Sequence, residues 1–597
     1  MMFPTLSARP TSTDMIEVFG GYNHNHRIAD SEFYDENNMT SEHYPLMSPR
    51  KERGKLKLYD NGLDKHNIVG MLSKEGLCYV EAINNNIYLF ENGYKRDLGL
   101  TDIPDDTERI LVSMGAYIVI FPDKKYFNTE KESDFGDIEA SFSVSNLEGE
   151  ISGATFSLCA LDGKEYTYSS AKPSQPKDQE YWLDTSTSPA SLKQWSESSS
   201  QWIGIASTYI RISAPNIAQN FSEGDGVYIS GITNNALSEY NNKTSVIQKL
   251  EKTENGAGDY IVIIGVIGNV YYDSISLKRR VPLLDFVIES GNRLWGCRYG
   301  LNLNGDVVNE LYASKLGDFK NWEVFSGIST DSYVASLGSD GVFTGAISYL
   351  GMPLFFKESY IHQVYGYYPA QYQIQTTEAR GVQQGSSKSL AMVNETLYYK
   401  ANNAVCAYNG SLPVEISSVL GGVHYKNAAA EAAGNKYCIA METNTNKRSL
   451  FIYDTQKGVW HKEDGEGLTE LCFAKEELYL RDGNNVYTAN GTGEKYENKV
   501  EWHVESGNMG LSANEKKKIK RINLRFSADV GSRIRIFVEY NSSGKWEQVF
   551  ANDGSTLNSY YVPIKPKRCD HFRIKIEGKG NVKLYSLSKV IEYGSDK

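Results

Sequence analysis

The 597-residue chain contains little proline, 16 residues in all, and no long apolar run. A membrane-spanning helix needs roughly 20 consecutive apolar residues. Because no segment has that character, the sequence predicts no membrane span. The first residues, MMFPTLSARPTSTD, also lack the basic and then apolar pattern of a secretory signal. We therefore expect the protein to be made and assembled in a cytoplasm.

Cysteine is scarce as well. Its seven copies are scattered through strand-like segments such as LWGC, YCIA and LCFA. An odd number of scattered cysteines in a chain without a secretory signal favours buried free thiols over disulfide bonds.

Positive charge is in the minority, with 62 basic against 74 acidic residues and a formal net charge of −12. Affinity for nucleic acids depends mainly on Lys and Arg side chains that neutralise phosphates. The composition therefore argues against tight DNA binding.

The short motifs of several catalytic and metal-binding classes are absent. The sequence has no GxxxxGK[ST] phosphate loop, no HExxH, no GxSxG and no CxxC pair. The segment from His24 to His26 lies in a loop-like context, which favours a polar turn over a metal site. The sequence thus predicts a non-enzymatic protein and assigns no catalytic, cofactor-binding or metal-binding residue.

Abundant tyrosine and glycine, 41 and 52 residues, indicate many short strands joined by tight turns. A unit of two short apolar strands around a polar turn recurs from about residue 61 onward. Four equivalent anchors, Leu354, Leu397, Tyr437 and Leu478, are 43, 40 and 41 residues apart. A four-stranded propeller blade repeats at roughly 40–45 residues, so the spacing predicts a β-propeller.

The remaining segments predict an all-β, multidomain fold. Residues 1–60 are polar and turn-rich, which indicates an extended N-terminal arm that packs on a partner and orders only on assembly. The propeller is predicted over 61–140 and 278–495, interrupted by an inserted β domain at 141–277. Alternating strands over 496–597 predict a C-terminal jelly-roll-like β-sandwich.

Two runs carry a family resemblance: residues 289–296 (ESGNRLWG) and 311–322 (LYASKLGDFKNW). With residues 345–366 (GAISYLGMPLFFKESYIHQVYG), they are similar to the tail-hub, nozzle and head-to-tail stabilisation β-propeller proteins of tailed bacteriophages. The resemblance implies a structural virion protein of the tail, assembled in a bacterial host cytoplasm. It implies a homo-oligomeric ring, commonly of six subunits, that contacts portal, adaptor and other tail proteins or fibres. The genome would pass through this conduit during DNA ejection without tight binding.

Several residues are candidates for assembly or packing. We expect Arg293 to bond loop carbonyls at a blade turn and Trp295 to pack between blades. The basic run at the start of the sandwich favours a protein-binding or solvated edge over a nucleic-acid patch. The full candidate set is Arg293, Trp295, Trp322, Trp460, Lys516, Lys517 and Lys518.

Two other functions stay open. A carbohydrate-binding or receptor-binding tail module would need an aromatic platform, for which Trp502 and Trp546 are the sandwich candidates. A propeller enzyme, such as a glycosidase or lyase, would release sugar from a cell-wall polysaccharide.

Overall fold

The computed structural model describes residues 10–60, 62–63, 65–84, 86–91, 94–100, 103–146, 153–511 and 514–594. Strands dominate this part of the chain, and the all-β fold class is confirmed. The helices found there are short 3-10 helices: Asn235–Tyr240, Pro369–Gln371, Ser387–Ser389 and Ser418–Leu420. Within the described residues, no helix has the length and apolar character needed to cross a membrane.

Five strands lie in the N-terminal segment, and they join sheets formed by much later parts of the chain. They are β1 (Thr11–Ile16), β2 (Phe33–Asn37), β3 (Met39–Thr40), β4 (Ser48–Pro49) and β5 (Gly54–Lys55).

Two antiparallel four-stranded blades follow. Blade 1 comprises β6 (Ile68–Ser73), β7 (Leu77–Ile83), β8 (Asn86–Glu91) and β9 (Tyr94–Leu100). Blade 2 comprises β10 (Ile110–Met114), β11 (Tyr117–Phe121), β12 (Lys125–Asn128) and β13 (Phe135–Asp137).

The inserted domain contains an eight-stranded sheet around its own apolar core and a separate four-stranded outer sheet. The large sheet comprises β14 (Ala140–Val144), β15 (Ala154–Cys159), β20 (Tyr209–Ser213), β21 (Gly226–Ser230), β22 (Lys243–Glu251), β23 (Tyr260–Ile264), β24 (Tyr271–Asp273) and β25 (Ile275–Arg279). The outer sheet comprises β16 (Tyr168–Ser169), β17 (Tyr181–Asp184), β18 (Ser191–Ser196) and β19 (Gln201–Gly204).

Five further blades complete the propeller. Blade 3 comprises β26 (Phe286–Glu289), β27 (Leu294–Leu301), β28 (Val307–Ala313) and β29 (Tyr333–Ser336). Blade 4 comprises β30 (Gly345–Tyr349), β31 (Met352–Lys357), β32 (Tyr360–Tyr365) and β33 (Gln373–Glu378). Blade 5 comprises β34 (Ala391–Val393), β35 (Thr396–Lys400), β36 (Val405–Tyr408) and β37 (Val414–Glu415). Blade 6 comprises β38 (Tyr425–Ala433), β39 (Lys436–Thr443), β40 (Arg448–Asp454) and β41 (Val459–Asp464). Blade 7 comprises β42 (Leu468–Ala474), β43 (Glu477–Asp482), β44 (Asn485–Thr488) and β45 (Glu494–Lys495).

The blades of the described chain close into a ring of seven. Their first strands contact one another in circular order, with the 3-10 helix Ser387–Ser389 joining blades 4 and 5, and β42 of blade 7 contacts β6 of blade 1. Strand β5 adds to blade 7 between β44 and β45, so an N-terminal strand closes the ring. The four sequence anchors all lie buried in the second strands of blades 4 to 7.

The chain leaves the ring after blade 2 and returns at blade 3. These two blades share one apolar core, which includes Val112, Val119 and Val287. The insertion is held where it enters and leaves the ring. There Asp225 accepts hydrogen bonds from Arg279 at 2.6 Å and from Asn321 at 2.9 Å.

The C-terminal domain is a sandwich of two antiparallel sheets packed around one core. Its own strands are β46 (Glu501–Ser506), β47 (Lys517–Ala528), β48 (Arg533–Tyr540), β49 (Trp546–Asn552), β50 (Ser555–Pro563), β51 (Phe572–Lys579) and β52 (Val582–Tyr593). Strand β1 pairs with β52 in one sheet, and β2 pairs with β46 in the other.

The expectation of an extended arm on a partner protein is therefore wrong for residues 10–60. This segment completes both sandwich sheets and blade 7. Its two buried arginines are paired within the chain: Arg50 forms a two-point ion pair with Glu497 at 2.8 and 2.9 Å, and Arg53 contacts Glu463 at 2.9 Å. Part of the polar composition therefore serves these ion pairs. Residues 1–9 lie outside the described residues.

The seven cysteines are buried free thiols, as predicted.

Candidate functional site

Two of the candidate residues, Arg293 and Trp295, lie buried in blade 3. The Arg293 guanidinium donates hydrogen bonds to the carbonyls of Ser314 at 2.8 Å and Ser329 at 2.9 Å. Trp295 packs in the core between blades 3 and 4 and contacts Tyr372 edge to face. Both side chains support loops and blade packing, and neither is presented to a partner.

Trp322 and Trp460 are also buried between blades, each 2% exposed. Trp322 joins the core of blades 2 and 3, and its indole donates to the Phe319 carbonyl at 2.9 Å. Trp460 joins the core of blades 5 and 6, and its indole donates to the Ile416 carbonyl at 3.0 Å.

The basic run does not form a continuous surface patch. Lys516 is exposed, whereas Lys517 is 1% exposed. The Lys517 ammonium donates to the backbone carbonyls of Gly510 and Asp570 inside the sandwich. Strand β47 begins at Lys517, whose side chain is buried in the sandwich, whereas Lys516 precedes the strand and stays exposed. The assignment of Lys517 to an assembly surface is therefore wrong.

The two sandwich tryptophans do not form an aromatic platform. Trp502 is 2% exposed and belongs to the sandwich core, where its indole donates to the Gly580 carbonyl at 3.0 Å. Trp546 is half-buried under the side chains of Arg573 and Lys575. A sugar-binding surface must therefore be sought elsewhere.

The outer sheet of the inserted domain has one apolar face and one aromatic face. Leu183 and Leu192 are directly paired and fully buried against the domain core. Paired residues of antiparallel strands share a face, and the next residue along each strand lies on the other face. The outer face therefore carries Trp182, Lys193, Trp195 and Trp202.

The three tryptophans form a contiguous, half-buried cluster, which we call the Trp surface (Trp182, Trp195 and Trp202). The centroid of Trp202 lies 5.4 Å from that of Trp182 and 5.4 Å from that of Trp195. The planes meet at 66° and 62°, so each contact is edge to face. Contiguous aromatic groups left at a surface mark binding sites more often than isolated ones do.

Charged groups border the Trp surface. The ammonium groups of Lys172 and Lys193 lie 5.3 and 5.1 Å from the centroid of the Trp182 ring. Lys193 forms an ion pair with Asp184 at 2.6 Å. Hydrogen bonds from Lys193 and Ser186 lower the pKa of Asp184 to about 2, so this carboxylate stays ionised and fixes Lys193. The site thus combines apolar ring faces with oriented hydrogen-bonding groups.

Sequence reasoning missed this site. The tryptophans are separated by turns and lie in a Ser/Thr-rich stretch, so no local motif connects them. Their common face follows from the strand register, which pairs Trp182 with Lys193 and Trp195 with Trp202. An aromatic residue in each of three successive short strands was the available signal.

A second polar cluster lies on the propeller axis. Arg481 contacts Glu108 at 2.9 Å and Glu470 at 2.7 Å, and Lys388 contacts the same two carboxylates at 2.9 and 3.2 Å. Lys388 precedes blade 5, whereas Glu108 precedes blade 2. These blades are not neighbours, so the cluster spans the axis. Burial raises the pKa of Glu108, but hydrogen bonds and attraction from Arg481 and Lys388 outweigh this and lower it.

One carboxyl on an inner strand behaves differently. Glu431, on β38, is half-buried, and burial raises its pKa to about 7. A carboxyl that keeps its proton near neutrality can act as a general acid. Glu431 is therefore the residue to examine in a test for hydrolysis.

No protein family and no curated protein sequence matches this chain. The solved structures found by comparison include an exo-β-1,3-galactanase from Phanerochaete chrysosporium with galactose, at 11% identity and a TM-score of 0.21, covering 51% of this chain and 94% of that chain. They also include PorZ, a surface component of the type-IX secretion system of Porphyromonas gingivalis, at 11% identity and a TM-score of 0.24. The match covers 89% of this chain and 77% of PorZ. A third is the extracellular domain of a putative hybrid two-component system from B. thetaiotaomicron, at 9% identity and a TM-score of 0.23. The match covers 92% of this chain and 91% of that domain. Likeness at this level concerns the fold alone.

The prediction of a non-enzymatic protein is wrong. Glycoside hydrolases are among the solved chains that the comparison found, at TM-scores of 0.19 to 0.21. The absence of short catalytic motifs does not by itself exclude an enzyme. Glycosidases use a pair of carboxyl groups on either side of the scissile bond. In a propeller such a pair can come from separate blades, which leaves no contiguous motif.

Proposed function

We propose that this chain is a carbohydrate-binding protein that contacts glycans through the Trp surface of its inserted domain. The observation that carries the proposal is the placement of three half-buried tryptophans on one outer sheet face beside oriented charged groups. Burying a large aromatic side chain is strongly favourable. A folded sheet that leaves three of them at its outer face is therefore suited to covering them with a ligand.

Sugars match both features of this surface. A pyranose ring has a flat face of C–H groups, which an indole face can cover, and a rim of hydroxyl groups. The hydroxyl groups can accept hydrogen bonds from Lys172 and Lys193, and the buried, ionised Asp184 holds Lys193 in place. Most of the affinity is expected from the aromatic contacts, because aromatic anchors dominate binding energy at such sites.

The test is binding of the purified chain to arrayed bacterial cell-surface polysaccharides. Trp195→Ala and Trp202→Ala should each weaken binding by about 2 kcal/mol, which is roughly 30-fold in Kd, and Trp182→Ala should also weaken binding. Trp546→Ala is the matched control, because that tryptophan is half-buried on the sandwich, away from the site. Unchanged glycan binding in all three site variants would overturn the proposal.

The same incubations show whether binding leads to cleavage. Release of reducing sugar would identify a hydrolase, and Glu431→Gln would then show whether the carboxyl with the raised pKa takes part. Binding without release would identify a binding module.

We further propose that the chain works in the tail of a phage virion, where a host-surface glycan would be its receptor. The resemblance of residues 289–296 and 311–322 to phage tail propellers supports this location. A ring of subunits, commonly six, would then contact portal, adaptor and other tail proteins without holding the passing DNA tightly. Negative-stain images of the purified chain should show rings, and mass spectrometry of purified virions should detect the chain. If the purified chain were a monomer and virions did not contain it, this location would be contradicted.

A further inference from the structure

The geometry of the Trp surface points to a narrower class of ligand, and this inference rests on the proposed function. We propose that the surface binds a single hydrated glycan chain and not the flat face of an insoluble, crystalline polysaccharide.

The angles between the indole rings distinguish the two kinds of ligand. A flat crystalline face can contact several aromatic rings at once only if their faces lie nearly in one plane. Here Trp202 meets its two neighbours at 66° and 62°, with centroids 5.4 Å apart. Neighbouring rings therefore form corners. A corner accepts one sugar ring, with its C–H face on one indole and its edge against the next.

The lysine side chains strengthen this argument. Both ammonium groups lie over Trp182, where cation–π attraction orders them. Their charges and hydration would obstruct a flat apolar contact at this ring. At the side of a single chain, the same groups are placed to bond hydroxyl oxygens. We therefore assign the stacking contacts to Trp195 and Trp202, and assign to Trp182 the positioning of Lys172 and Lys193.

The polar border also requires a ligand with accessible hydroxyl groups. Asp184 neutralises Lys193 at 2.6 Å, whereas Lys172 is exposed and has no carboxylate partner among the contacts found in the described residues. In a crystalline polysaccharide most hydroxyl groups are bonded within the solid. A hydrated chain offers them freely along its length.

The experiment compares soluble and insoluble probes with the full chain. Calorimetry would use soluble oligosaccharides of glucose, galactose and N-acetylglucosamine. Sedimentation would use amorphous cellulose, microcrystalline cellulose and crystalline chitin. We expect binding to at least one soluble probe and no retention on the crystalline solids. Trp195→Ala and Trp202→Ala should each weaken soluble binding by at least about tenfold, and Lys172→Met should weaken it less.

Two controls keep the result interpretable. Trp195→Phe retains an aromatic ring and should keep part of the affinity, which separates loss of stacking from loss of folding. Trp546→Ala should bind as the unaltered chain does.

The outcomes separate the two proposals. Retention on a crystalline solid without binding to soluble oligosaccharides would overturn this inference while supporting a carbohydrate-binding function. Binding to no carbohydrate probe, including the arrayed cell-surface polysaccharides, would overturn the proposed function and this inference with it. If the Trp195 and Trp202 variants bound soluble oligosaccharides as tightly as the unaltered chain does, the binding site would lie elsewhere. The assignment of the stacking contacts to these two tryptophans would then be overturned.

Discussion

Lys517 lies within a basic run, yet its ammonium group is buried in the sandwich and bonded to backbone carbonyls. Lys517→Glu would place a carboxylate against those carbonyl oxygens. An uncompensated buried charge costs roughly 3–5 kcal/mol, so chemical denaturation should show a loss of that size. Lys516→Glu is the matched control and should stay within about 0.5 kcal/mol, because Lys516 is exposed. Equal losses in the two variants would contradict the burial of Lys517.

Glu431 makes stability depend on pH near neutrality. Its pKa is raised by burial to about 7, above the ordinary value. The unfolded chain therefore loses this proton at lower pH than the folded chain does. The stabilising contribution is complete below the unfolded pKa of roughly 4.3 and is lost as pH rises to about 7, with a size of about 2 kcal/mol for this half-buried group. Glu431→Gln should remove this part of the pH dependence in unfolding measurements. If the stability of Glu431→Gln varied with pH as that of the unaltered chain does, other groups would cause the pH dependence.

At the scale of a single element, β5 determines whether the propeller ring closes. A Cβ atom on Gly54 would lie 2.1 Å from the Thr492 carbonyl oxygen and 2.6 Å from the Thr488 hydroxyl. Gly54→Ala should therefore displace β5 from blade 7 and cost about 1–3 kcal/mol. Hydrogen exchange should become faster in β44 and β45, which are the strands that pair with β5.

Gly422→Ala is the control for this element, because a Cβ at that exposed position meets no atom within 4 Å. It should leave both exchange and stability unchanged. If Gly54→Ala also left exchange in blade 7 unchanged, β5 would not be needed for closure.

At the scale of the whole molecule, residues 10–60 join the propeller to the sandwich. They supply β1 and β2 to the two sandwich sheets and β5 to blade 7. A chain without residues 1–60 would expose edges in both sandwich sheets and in blade 7, and would leave Glu463 and Glu497 without their arginine partners. Exposed edges promote aggregation. We expect this truncated chain to be insoluble or to unfold at a lower temperature in calorimetry. If the truncated chain were soluble and its thermal unfolding transition were unchanged, residues 1–60 would be a separate arm after all.

Buried hydrogen bonds to a carboxylate also connect the inserted domain to the ring. Asp225 is buried and accepts from Arg279 and Asn321, which approach it from the exit strand and from the loop before Trp322. Asp225→Ala would leave Arg279 buried without its carboxylate, at a cost of roughly 3–5 kcal/mol. Limited proteolysis should then cut near residues 138–140 or 279–281 faster than in the unaltered chain. Equal cutting rates would mean that the remaining contacts hold the insertion.

Local pattern by itself determined the fold class, because alternation, turn residues and a repeat near 41 residues are encoded within each blade. It also determined the buried cysteines, whose apolar strand contexts are local. Only the tertiary structure decided the role of residues 10–60, since their strands pair with partners up to the C-terminal strand β52. The same is true of Lys517, whose burial depends on which face of β47 covers the core. The Trp surface, too, was decided by strand register, which brings together side chains separated by turns. Composition describes what a segment contains, whereas long-range pairing determines which of its side chains meet.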